Sequence, residues 1–73
     1  MSRLPMIYNI EYEREEDGRW IAEAPQLPGV LAYGLTAEEA MAKAEALALR
    51  VLAERLETDE CSPTIISIAF TAE

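Results

Sequence analysis

The chain has 73 residues, one cysteine, no histidine, and fourteen acidic against six basic side chains, for a net charge of −8. That length allows one domain with a small core, and the cysteine and histidine counts exclude an internal disulfide and any cysteine–histidine metal cluster. The acidity disfavours nucleic acid as a direct ligand, because phosphates repel it, and makes a basic protein the better electrostatic match.

A core of this size rarely supplies more than ~3–5 kcal/mol net, so a homo-oligomer (dimer or tetramer) or a partner protein is expected to help hold it. Met1 to Met6 lacks the apolar centre of a secretion signal, and no run approaches the ~18 apolar residues that span a bilayer. A cytoplasmic location without a membrane partner is expected, and the lone thiol Cys61 is ordinary in a reducing compartment.

Ile7 to Glu13 alternates, with Tyr8, Ile10 and Tyr12 on one face and Ile7, Asn9, Glu11 and Glu13 on the other, which predicts a strand with one core face and one wetter face. Glu15, Glu16 and Asp17 lead into Gly18, which can close a hairpin. A second strand is predicted over Arg19 to Ala24, with Trp20, Ala22 and Ala24 on one side and Ile21 and Glu23 on the other. Pro25-Gln26-Leu27-Pro28-Gly29 then bends the chain, since proline cannot donate to a sheet ladder. Val30 to Tyr33 reads as a short third strand ended by Gly34, completing an antiparallel meander.

Thr36 and Glu39 have the spacing of a capping box. Ala37 to about Glu57 contains neither glycine nor proline and is rich in good helix formers, so one long helix is predicted. Its broad apolar stripe, Ala37, Ala40, Met41, Ala44, Leu47, Ala48, Val51 and Leu52, suits packing on the sheet, and the alanines permit close approach. A second stripe, Ala42, Ala46, Leu49, Ala53 and Leu56, faces nearly the opposite way. It reads either as surface alanines that only raise helix propensity, which explains Leu49 and Leu56 least well, or as a contact face for another subunit or partner.

After Asp59 to Pro63, Thr64 to Thr71 reads as a fourth strand, with Ile66, Ile68 and Phe70 toward the helix. A right-handed crossover places this strand beside the first and parallel to it, giving the order 3-2-1-4 in a two-layer α+β sandwich, β-β-β-α-β. Two sheet edges stay open, and a pairing partner at either would protect it.

Gly18-Arg19-Trp20, Pro25-Gln26-Leu27-Pro28-Gly29-Val30, Tyr33-Gly34 and Thr36-Ala37-Glu38-Glu39-Ala40 follow one another in a fixed order. Over Ile7 to Leu52 this order resembles the HicB-like family, the antitoxin half of bacterial toxin–antitoxin pairs. The resemblance implies a single HicB-like domain over residues 1–73, a partial ribonuclease-H-like sheet, and a small basic HicA-like toxin as partner. Longer members carry a DNA-binding segment after this region; here the chain ends at Glu73, so direct contact with nucleic acid is not expected.

Chemistry finds little to use. Serine, threonine and cysteine have no histidine base, and no glycine-rich phosphate loop is present, so no catalytic, cofactor or metal residues are assigned. Glu11, Glu13 and Glu23 are the carboxylates that a metal-dependent nuclease would use, although alternating glutamates also suit a solvated sheet face. The candidate partner-binding residues are Glu15, Glu16 and Asp17 in the acidic turn, Pro25, Leu27 and Pro28 in the bend, and Leu49 and Leu56 on the outer helix stripe. The turn charges read either as solvation of a hairpin tip or as a docking patch. Trp20 reads as core, and the Pro25–Gly29 bend as exposed.

Overall fold

The computed structural model describes residues 6–58 and 68–72. Its elements are β1 (Met6–Arg14), β2 (Trp20–Glu23), β3 (Leu31–Gly34), α1 (Ala37–Glu57) and β4 (Ile68–Ala72). The sheet order is β3-β2-β1-β4, with β1 antiparallel to β2, β2 antiparallel to β3, and β4 parallel to β1. This is the α+β arrangement expected, since a parallel neighbour for β1 requires α1 to cross the sheet. The first half of the expected fourth strand, including Ile66, lies outside the described residues, as do Cys61 and the side chain of Ile68.

One face of α1 covers the sheet. Ala40, Ala44, Ala48 and Leu52 are buried in it, and Met41, Leu47 and Val51 pack around them, matching the broad apolar stripe. Ile10, Ala22, Ala24, Leu27 and Val30 complete the core from the sheet and its bend. Alanine dominates the contact, so helix and sheet lie close, and the largest fully buried side chains are only Ile10 and Leu27. Trp20, Tyr8 and Phe70 pack at the margin, with the Tyr8 and Phe70 rings 6.0 Å apart across the parallel pair.

The third strand starts one residue later than expected, because Val30 belongs to the bend. Its N–H donates to the Leu27 carbonyl at 3.0 Å, while its own carbonyl accepts from the Ala24 N–H at 3.1 Å. Both backbone groups are thereby held by the bend. Leu27 N–H closes a turn onto Ala24 O at 2.9 Å, and the next turn uses Pro28 with Gly29 at φ 88°, the left-handed conformation favoured by glycine. Two consecutive turns reverse the chain and direct Leu27 inward.

The capping box forms. Thr36 Oγ1 accepts from the Glu39 N–H at 3.1 Å, and Glu39 Oε1 accepts from the Leu35 N–H at 3.2 Å, one residue before the cap. At the other end Thr58 takes over: its N–H and Oγ1 both donate to the Glu54 carbonyl, at 2.9 and 3.0 Å.

Candidate interaction surface

The acidic turn is a closed hairpin tip. Glu15 N–H donates to Arg19 O at 2.7 Å, Gly18 N–H donates to Glu15 O at 3.0 Å, and Gly18 adopts φ 92°. Asp17 faces inward to this turn: its Oδ1 accepts from the Arg19 N–H at 3.0 Å and its Oδ2 from Arg19 Nε at 2.8 Å. These bonds, the backbone one foremost, hold the Asp17 carboxyl below its ordinary value. Of the three expected docking carboxylates, Glu16 is exposed, Glu15 half-buried, and Asp17 already occupied by a cation.

The bend is exposed at Pro25, Gln26, Pro28 and Gly29, but Leu27 corrects the expectation placed on it. It is 1% exposed and lies in the core, because the double turn points its side chain under α1. A partner cannot reach it. The exposed Gln26 extends the sheet instead: its Oε1 accepts from the Asn9 N–H at 3.3 Å, beyond the last residue of β2.

The outer helix stripe is exposed at Ala42, Ala46, Leu49 and Ala53, while Leu56 is half-buried. Hairpin tip and proline bend sit at opposite ends of β2, and the outer stripe sits on the far side of the helix layer. The expected partner-binding residues therefore do not converge on one site.

A different surface gathers both charge and apolar groups: the sheet face turned away from α1. Strand alternation places Ile7, Asn9, Glu11 and Glu13 there, and the register sets Glu11 opposite Glu23, Glu13 opposite Ile21, Ile21 opposite Tyr33, and Glu23 opposite Leu31. Glu11, Glu13 and Glu23 are all exposed and form no ion pair with another described residue. With Ile21 and Tyr12 they line a shallow depression of about 200 Å³. Tyr33 and Leu31 flank it, 40% and 41% exposed, and the Arg19 guanidinium lies over the Tyr33 ring at 4.6 Å. Asn9 Oδ1 accepts from Thr71 Oγ1 at 2.7 Å on the β4 side of the same face.

Like charges directly opposite on neighbouring strands destabilise a sheet. Glu11 and Glu23 thus create a cost in the isolated chain that a cationic side chain from another molecule would relieve. Alternation alone identified Glu11 and Glu13 as sharing a face; their meeting with Glu23, Leu31 and Tyr33 depends on strand register, which local pattern does not specify. Among the described residues no group of three or more acidic or cysteine side chains is arranged to hold a metal ion. No helix of the described residues is long and apolar enough to cross a membrane. Comparison with known protein families, curated proteins and solved structures finds no match for the chain.

Proposed function

We propose that this chain is a non-enzymatic, antitoxin-type binding protein of the HicB-like kind, acting in the cytoplasm. It neutralises a small basic RNA-cleaving toxin by covering the surface through which that toxin binds or cuts RNA. The reading rests on the sheet face turned away from α1, where Glu11, Glu13 and Glu23 have no ion-pair partner among the described residues and stand beside exposed Leu31 and Tyr33. An RNA-cleaving surface is basic because its ligand is a chain of phosphates, so an acidic face with apolar neighbours matches it in charge and adds desolvated contact. The ordered motifs from Gly18 to Ala40 support the same partner class, and the net charge of −8 speeds encounter with a cationic protein.

Co-expression with a small basic protein encoded beside it tests this reading. Growth rescue together with co-purification is expected, and Glu11→Gln/Glu23→Gln should weaken the complex at least tenfold while the chain stays folded. A harmless neighbour that never co-purifies would overturn the pairing. RNA cleavage by the chain alone, lost in the same variant and dependent on a divalent metal, would replace it with a nuclease.

A further inference from the structure

We infer that the sheet face turned away from α1 is covered by a basic amphipathic helix of the partner, laid on β1 and β2 as a third layer. Docking there rests on the reading of this face as the surface that meets a basic partner, and the helix is the element that meets it. α1 is the only helix among the described residues, and it packs on the opposite side of the sheet. The outer side carries Ile7, Leu31 and Tyr33, three of the six exposed large apolar side chains among the described residues. Strand register sets carboxylates among them. Glu23 stands between Leu31 on β3 and Glu11 on β1, and Ile21 shares one depression with Glu11, Glu13 and Glu23.

Charge complementarity selects a cationic occupant. Glu11, Glu13 and Glu23 have no ion-pair partner among the described residues, and Glu11 directly opposes Glu23, so a cation placed between them relieves a repulsion as well as gaining an attraction. A second copy of this chain does not qualify. Its sheet face repeats the same carboxylates, and its α1 carries five acidic against three basic side chains. Nucleic acid is repelled for the same reason. The corner at Tyr33 is already taken by a cation of the chain itself: the Arg19 guanidinium lies over the ring at 4.6 Å and pairs with Asp17 at 2.8 Å. Incoming positive charge is thereby directed to Glu11, Glu13 and Glu23, and Ile21 and Leu31 are left for apolar contact.

Backbone hydrogen bonding selects a helix. The edge of a sheet offers N–H and C=O groups, but its face offers side chains alone, so a segment lying on Ile21 and Leu31 must satisfy its own backbone. A helix does this internally, and a single extended segment does not. The spacings agree. Residues three or four apart on a helix stand about 5–6 Å from one another, and directly opposed residues of an antiparallel pair about 4.5–5.5 Å. Two basic residues one helical turn apart therefore reach Glu11 and Glu23 together, with apolar residues on the same side of the helix resting on Ile21 and Leu31. Helices on both faces of a sheet are a stable layer arrangement.

Two synthetic peptides of identical composition, alanine-based with arginine and leucine and about 15 residues long, test the helix without any toxin. In one, arginines recur three and four residues apart with leucines alongside, giving an amphipathic helix; in the other, arginine alternates with leucine or alanine, giving an amphipathic strand. Titrated against the full chain, the helical peptide should bind about tenfold tighter, and circular dichroism should show it gaining helix as it binds. Amide NMR shifts should move at Glu11, Ile21, Glu23 and Leu31 and stay still at Ala42, Ala46, Leu49 and Ala53 on the outer helix face. Glu11→Gln/Glu23→Gln should weaken the helical peptide about tenfold, and added salt should weaken it too. Equal or tighter binding of the alternating peptide, binding that ignores the glutamine substitutions, shifts centred on the outer helix face, or no binding of either peptide would overturn the proposal. The docking helix and the toxin pairing fail separately. A neighbouring protein that never co-purifies removes the toxin and leaves the helix-docking face standing; rescue by that neighbour together with preference for the alternating peptide keeps the antitoxin and removes the helix.

Discussion

A β-carbon on Gly34 would lie 2.6 Å from the Ala40 backbone nitrogen and 3.0 Å from the Glu39 β-carbon. Gly34 is therefore where the end of β3 touches the first turn of α1, and what it supplies is the absence of a side chain. Backbone cannot move aside as a flexible side chain can. Gly34→Ala should push the helix start off the sheet and cost about 1–3 kcal/mol, the range for overpacking a tight interior contact; urea unfolding of the variant beside the parent measures it. A change below a few tenths of a kcal/mol would show that the helix start gives way freely. Leu27 shows the opposite economy of position. Its neighbours are prolines, a glycine and a glutamine, a setting that reads as surface, yet the double turn makes it one of the two largest fully buried side chains.

The helix is held at its start by reciprocal bonds around Thr36 and Glu39, and this gives the element a pH signature. The Leu35 N–H, followed by the Lys43 ammonium at 3.3 Å, holds the Glu39 carboxyl below its ordinary 4.5. A depressed folded-state pKa means that the carboxylate contributes stability at pH above 4.5, and that this contribution is lost as pH falls through the lower folded value. The stability gap between the parent and Glu39→Gln should be present near neutrality and close below pH 4.5. Chemical denaturation of both proteins at about pH 7 and about pH 3 checks the sign. A gap that stays constant across that range would show that the charge on Glu39 contributes nothing and that only its hydrogen bond matters. In the hairpin, Asp17 follows the same rule from its ordinary 3.8, with Arg19 as the cause.

At the scale of the whole molecule, a charge of −8 on a 73-residue chain is a standing repulsion, with Glu11 and Glu23 face to face in the sheet. Monovalent salt should therefore stabilise the isolated chain, on the order of 1 kcal/mol or about 4–8 °C in Tm. A complex with the basic partner proposed above should respond in the opposite sense, because there the charges would attract. Thermal melts across a salt series, paired with a binding titration, separate the two signs. A chain whose Tm ignores salt would show that the carboxylates are too far apart to repel.

The sequence by itself determined the elements and their order. The run from Ala37 to Glu57 lacks breakers and repeats its alanines at helical spacing, so both its buried and its exposed stripes were legible from local periodicity. Alternation in Ile7 to Glu13 revealed the two faces of β1, and the handedness of the crossover led to the position of β4. Only the tertiary structure decided what depends on residues distant in the chain. The register brings Glu11 to Glu23 and sets Leu31 and Tyr33 beside Glu23 and Ile21, while the turn geometry carries Leu27 into the core and the hairpin gives Asp17 its arginine. Periodicity reports which way a side chain points along its own element; which groups it meets is settled by how the elements are stacked and aligned.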